Sequence, residues 1–172
     1  MTRFCGGVLL VLFLSGLAQA AAPALPVVGV DGRVTRVVDG DSLWVSPRSG
    51  GRAIEVRLAD IDAPEICQDG GIESRRQLAA RVLKRKVRLR VPAGRAGRDK
   101  YGRTLATVWL GGLQVNRSMV EQGQAWSRRG QGDRGPYLAE ERQARALNRG
   151  VFRAGTSAMP PWDFRKRHGP CR

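Results

Sequence analysis

The chain is short of acid. Its 172 residues hold 15 Asp and Glu against 30 Lys and Arg, a formal charge of +15. A charge this far from zero costs stability through self-repulsion and points to a polyanionic partner, nucleic acid first and acidic envelope surfaces second. Lysine is scarce as well, with only Lys84, Lys86, Lys100 and Lys166, so the positive charge is nearly all arginine. Histidine occurs once, at His168 in the basic C-terminal stretch. That argues against chemistry needing a histidine pair or one histidine base in a fixed scaffold. No CxxC or HExxH pattern is present, so zinc is not suggested. Long apolar runs are missing too. The longest, Phe4 to Leu17, falls short of the ~18–20 residues of a spanning helix. With Arg3 before it and Ala18-Gln19-Ala20 after it, this run reads as a signal peptide over 1–20, the alternative being an uncleaved anchor. The remaining roughly 150 residues suffice for one domain. The mature chain is expected to be exported (periplasmic or secreted), monomeric and without an integral membrane segment. Cysteine occurs three times, and Cys5 belongs to the signal stretch. The pair left in an exported chain, Cys67 and Cys171, predicts a disulfide; two free thiols are the other reading. The bridge closes a loop of about 105 residues and contributes up to ~4–5 kcal/mol by chain entropy.

An Ala/Pro-rich leader at 21–27 precedes a series of strand signals. Val28, Val30, Val34 and Val38 fall at even spacing, and Leu43-Trp44-Val45 is a short apolar run. Ile54, Val56 and Leu58 alternate with Glu55 and Arg57, and Val87, Leu89 and Val91 alternate with Arg88 and Arg90. Leu105 to Leu110 is apolar and β-branched. Gly, Pro, Asp or Ser bounds each run. Leu78, Ala79, Val82 and Leu83 lie on one face of a helix predicted over 72–85. A second helix is predicted over 115–122, closed by Gly123, and a third over 136–149, with Pro136 near its start and Gly150 just past its end. This order gives an α+β, mainly β class, a five-stranded OB-type barrel with three α-helices, over 28–153. Residues 154–172, with Pro160-Pro161 and Arg165-Lys166-Arg167, read as a basic tail, either pinned to the body by Trp162 and Phe164 or disordered.

The few acids are not spread evenly. Six of the 15 lie between Asp39 and Glu65, in the stretches VVDGDS and RLADIDAPE and at Glu55. Oxygen-rich clusters suit hard divalent cations such as calcium. Asp41 sits between two strand patterns, and Asp62 and Glu65 lie just past the third, so neighbouring strand ends can converge on one site. Pro64 stiffens the turn that presents Asp62, the Ala63 carbonyl and Glu65. The plain alternative makes Asp39, Asp60 and Asp62 ordinary turn and cap residues. Arg57 closes the third strand, and Asp99-Lys100-Tyr101-Gly102-Arg103 opens the fifth. One arginine from each of two strands can clamp a phosphate, although a solvated surface charge is the ordinary fate of any single arginine in this chain.

Together, VVDGDS, RLADIDAPE and DKYGR, in this order and spacing, resemble the signature of the staphylococcal nuclease (thermonuclease) family over roughly Val28 to Phe152. The resemblance implies a five-stranded OB barrel with three helices and a calcium-dependent phosphodiesterase. Its substrates would be DNA and RNA, single-stranded or denatured DNA included, cut at the 5′ oxygen to leave 3′-phosphates. Carried over by position, it implies that Asp41, Asp62 and the Ala63 carbonyl hold Ca2+. Glu65 positions or deprotonates the attacking water, and Arg57 and Arg103 bind the phosphate. Ser42 and Ala63 stand where the family commonly has threonine; a backbone ligand tolerates the second change. The stretch Ala125-Trp126-Ser127-Arg128-Arg129 lacks the tyrosines that family members often carry near the bound nucleotide. Stacking on a base is then lost or passes to Tyr101 or Tyr137, with Lys100 as a further substrate contact. Trp126 reads equally as core or as ligand contact. Two other classes compete with the enzyme: a catalytically silent module for nucleic-acid capture or uptake, and a basic envelope adaptor. The full set of Asp41, Arg57, Asp62, Glu65 and Arg103 argues against a pure binder, which has no need of all five.

Overall fold

The computed structural model describes residues 26–128, 135–153, 159–169 and 171. The expected signal peptide, most of the leader and part of the tail lie outside the described residues. In chain order the elements are β1 (Val27–Val37), β2 (Ser42–Pro47), β3 (Ile54–Leu58), β4 (Ile61–Asp62), α1 (Gly71–Val82), β5 (Lys86–Pro92) and β6 (Thr104–Leu110). There follow β7 (Leu113–Gln114), α2 (Val115–Glu121), β8 (Trp126–Ser127), α3 (Leu138–Ala146) and α4 (Pro161–His168).

One long strand organises the barrel. β1 pairs with β5 along Val27–Arg33 and with β2 along Gly32–Val37. Its register breaks between Val34 and Arg36, a bulge that bends the strand so that it serves two neighbours. β2 pairs with β3, and β5 with β6, all antiparallel. β3 then meets β6 in parallel, Val56–Leu58 beside Thr104–Ala106, and the ring β1-β2-β3-β6-β5 closes as a five-stranded OB-type barrel.

Period-two alternation fills this ring. Val34, Leu43, Val45, Val56, Leu58, Leu89, Ala106 and Val108 are buried, while Arg88 and Arg90 between the β5 core positions face out. Leu78 and Val82 of α1, and Val115, Met119 and Val120 of α2, join the same core. Each such side chain contributes about 1.5–3 kcal/mol by leaving water. Val28 is an exception: it is exposed, because the first residues of β1 pair only with β5 and run past the closed part of the barrel.

Helix ends differ from the periodicity. The helix expected over 72–85 stops at Val82, since Lys84 turns with φ 63° and its N–H goes to Val34 O at 2.9 Å. The helix expected over 136–149 spans only Leu138–Ala146, and Gly150 opens a short 3-10 turn over Gly150–Phe152. The tail is the larger correction, because a fourth α-helix stands where three were expected. α4 has Pro161 in its first turn, Asp163 early, Arg165 to His168 in its last turn and Gly169 at φ 73° beyond it, a favourable order for helix dipole and caps. Trp162 packs edge-on to Trp126 with centroids 6.4 Å apart, and Trp126 packs edge-on to Phe152 at 5.3 Å, so Trp126 is core. Phe164 lies against His168 of the same helix at 4.7 Å. A disulfide joins Cys67 to Cys171. Among the described residues no helix is long and apolar enough to cross a membrane.

Candidate active site

The turn between β1 and β2 delivers Asp41. Asp39 Oδ1 accepts the Asp41 N–H at 2.9 Å and shapes the turn. Burial pushes the Asp39 carboxyl up, and the nearby Arg57 charge works against that. A Cβ at Gly40 would collide with Ser74 Oγ of α1 and with Ala63 Cβ, so the DGD stretch needs glycine for close approach. Asp41 is consequently turned inward and 1 % exposed. Its Oδ2 accepts the Ala63 N–H at 2.6 Å; its Oδ1 accepts the Ser42 hydroxyl at 3.1 Å and pairs with Arg57 Nη1.

The second carboxylate comes from the turn after β3. Asp60 reverses the chain at φ 63°, and Ile61–Asp62 then pairs with Trp126–Ser127. Asn116, fully buried at the start of α2, pins this turn from inside. Its Nδ2 donates to Ala59 O at 2.8 Å and Ala106 O at 3.1 Å, and its Oδ1 accepts the Val108 N–H at 2.9 Å. Asp62 is 3 % exposed and accepts from Arg57 Nη2 at 2.8 Å through Oδ1. Arg57, paired with Ser42 across β2 and β3, thereby bridges both buried aspartates.

Arg103 reaches the same place from the start of β6. Its Nη1 donates to Ser42 Oγ at 3.3 Å, one hydrogen bond away from Asp41. Asp99 holds it from behind, accepting from Arg103 Nε at 2.7 Å. Tyr101, in the same turn, is 72 % exposed, with Lys100 Nζ 4.9 Å and Arg103 Cζ 5.5 Å from its ring centroid. It offers a stacking face beside the site. Tyr137 does not: it is 6 % exposed in the barrel core, and its hydroxyl accepts from Gln114 Nε2 at 3.2 Å.

Glu65 is tied to Asp62 by a residue of the C-terminal stretch. Arg165 of α4 donates from Nη1 to Glu65 Oε1 at 2.7 Å and from Nη2 to Asp62 Oδ2 at 2.8 Å. Its Nη1 also lies 3.2 Å from Asp62 Oδ1. Burial opposes its charge, but the hydrogen bonds and charges of Asp62 and then Glu65 outweigh that and raise its pKa. Arg128, stacked 4.0 Å over the Trp162 ring, brings its Nε to 3.9 Å from Asp62.

Arg57 and Ser42 therefore link Asp41, Asp62 and Arg103 at one end of the barrel, Arg165 joins Glu65 to Asp62, and the Ala63 N–H meets Asp41. The buried carboxylates of Asp41 and Asp62, bridged by one guanidinium, offer oxygen donors of the kind a hard cation takes, so their chemistry suits calcium. Among the described residues no three Asp, Glu, His or Cys side chains converge as a ready metal cluster. Any further ligands would come from backbone or water, and Asp62 would have to release arginine. Asp99, Asn116, Arg128 and Arg165 were missed as parts of this site. Only Asp99 carried a signal, its place at the head of the DKYGR turn.

The family described as Staphylococcal nuclease homologue matches residues 55–153. A protein of Haemophilus influenzae described as an uncharacterized endonuclease is 37% identical over 134 residues, covering 78% of this chain and 72% of that one. Protein ParB of Escherichia coli is 35% identical over 167 residues, 87% of this chain and 90% of its own. A micrococcal nuclease of Shigella flexneri is 32% identical over 170 residues, 89% and 94% of the two chains.

Proposed function

Because this chain belongs to the staphylococcal nuclease homologue family, we propose that it is an exported, calcium-dependent nuclease, active as a monomer, that hydrolyses phosphodiester bonds of DNA and RNA. One observation carries the reading. Arg57 and Arg103 flank the Asp41–Ser42 corner, so two guanidiniums that can neutralise a phosphate stand beside two buried carboxylates that can hold a cation. A pure binding module has no reason to bury Asp41 and Asp62 in a surface meant for a polyanion.

The residues divide the work. Calcium, held by Asp41, Asp62 and the Ala63 carbonyl, would supply positive charge at the phosphate. Glu65 would position the attacking water or take its proton. The water oxygen bonds to phosphorus as its proton passes to Glu65 or to solvent, the bond to the 5′ oxygen breaks, and that oxygen takes a proton from solvent; the other product ends in a 3′-phosphate. Arg57 and Arg103 offset the charge that builds on the phosphoryl oxygens. Tyr101 and Lys100 line the entrance, and the basic surface draws in the polymer. Export is supported by the Cys67–Cys171 bridge, which an oxidising compartment preserves.

The test incubates the purified protein with heat-denatured DNA and with RNA, in calcium and in a calcium chelator, beside Glu65→Gln and Arg103→Ala. Calcium-dependent cleavage of both polymers, lowered by orders of magnitude in either variant while the fold is kept, is expected. Binding without cleavage under every condition would overturn the reading in favour of a capture module.

A further inference from the structure

We propose that the C-terminal helix α4 is a wall of the active site and that Arg165 is a third phosphate-binding guanidinium. This rests on the nuclease reading and adds to it a residue about a hundred positions away in sequence from the acidic turn. Arg57 and Arg165 are placed alike about Asp62. Arg57 holds Asp41 with one nitrogen and Asp62 with the other. Arg165 holds Glu65 with one nitrogen and Asp62 with the other, at 2.7 and 2.8 Å. Asp62 lies between the two guanidiniums, and its Oδ1 accepts from both. Once Asp62 turns to a cation and Glu65 to a water, Arg57 and Arg165 face one another across the space those groups share. A phosphodiester entering that space meets two planar forks whose N–H groups match its oxygens.

α4 is also held independently of Arg165. Beyond its C-terminal end, Cys171 is bonded to Cys67, and the Cys67 N–H donates to Cys171 Sγ at 3.0 Å. Ahead of its first turn, Gln68 Nε2 donates to Met159 O at 2.6 Å, while Gln68 Oε1 accepts the Glu65 N–H at 3.2 Å. In the first turn itself, Trp162 lies under Arg128 and against Trp126. Both ends of an eight-residue helix are thus clasped to the short stretch that carries Glu65. A side chain presented from such a mount loses little freedom when it takes hold of a substrate, which favours a binding role.

The experiment compares Arg165→Gln, Arg165→Lys and the double variant Cys67→Ser/Cys171→Ser with the wild type. The readouts are kcat and KM on heat-denatured DNA with calcium, the melting temperature, and the Kd, in calcium, of a short fluorescent single-stranded phosphorothioate oligodeoxynucleotide that resists cleavage. Arg165→Gln is expected to melt within a few degrees of the wild type, to weaken the oligonucleotide about tenfold and to lower kcat/KM about tenfold to a hundredfold. Arg165→Lys should fall between, since an ammonium keeps the charge but not the fork. The serine pair should raise KM with kcat nearly kept; a KM equal to the wild type would overturn the role of the tether. Unchanged kcat/KM in Arg165→Gln would overturn the proposal, and so would a rise, the behaviour of a plug that competes with the cation. If the wild type does not cleave, the nuclease reading fails by itself, and the oligonucleotide still decides: equal affinity in Arg165→Gln and wild type sinks the contact.

Discussion

The Asp99 carboxylate grips Arg103 twice. The carboxylate accepts the Arg103 backbone N–H at 2.9 Å through Oδ1 and the Arg103 Nε at 2.7 Å through Oδ2. The same Oδ1 accepts the Tyr101 N–H at 2.9 Å, so one side chain both closes the turn into β6 and aims the guanidinium at Ser42. Asp99→Ala should therefore leave the fold in place and lower kcat by about one to two orders of magnitude through lost orientation. Steady-state kinetics beside a melting curve checks this, and an unchanged kcat would remove Asp99 from the machinery.

The same pair makes stability depend on pH. Burial pushes the Asp99 carboxyl up, but the Arg103 hydrogen bonds and charge, with the Tyr101 N–H, outweigh it and hold the carboxyl below its ordinary 3.8. The folded value is the lower one, so the unfolded chain binds the proton first as pH falls. The stabilisation is therefore complete above 3.8 and is lost as pH drops through the folded value. In urea unfolding from about pH 6 to about pH 2, the difference between wild type and Asp99→Asn should shrink toward the acid end. A difference that grew on acidification would contradict the assignment.

Asn116 is a buried amide with three hydrogen bonds, two of them to the carbonyls of Ala59 and Ala106. Asn116→Ala takes the amide away from the Ala59 carbonyl and from the Val108 N–H in a buried place, while Ala106 O keeps the Ala59 N–H at 2.9 Å. A loss of about 2–4 kcal/mol in unfolding free energy is expected, with weakened calcium binding because the Asp62 turn loses its pin. Urea unfolding and calcium titration read the two effects separately.

Substrate binding should weaken steeply with salt. Each phosphate neutralised by a lysine or arginine releases counterions, so log K should fall against log salt with a slope of about −0.7 per contact for a single strand. Anisotropy titrations at several salt concentrations measure it. A flat dependence would mean that the charge of +15 serves another purpose.

What could be read in advance followed from local chemistry. The barrel strands were legible because Ile54, Val56 and Leu58, or Val87 and Leu89, must face one way to leave water while Arg57 and Arg88 face the other. α1 and α2 were legible for the same reason at helical period. Boundaries were less so: Lys84 leaves the helix because the chain must reach Val34, which nothing local announces. α4 carried proper signals, Pro161 first and Gly169 last around an early acid and late bases, yet its charge resembled that of a solvated tail. A helix of eight residues is marginal alone, and Trp126 and the disulfide stabilise this one.

The sequence by itself determined the barrel, the acidic turns and the arginines at the strand ends, because alternation, turn chemistry and charge act over a few residues. Only the tertiary structure decided which charges meet. Arg165 reaches Asp62 and Glu65, Asn116 reaches Ala59, and Tyr137 sinks into the core while Tyr101 stays outside. Those pairings depend on how the closed barrel and a bridged tail bring distant segments to one end, and no periodicity along the chain encodes such distances.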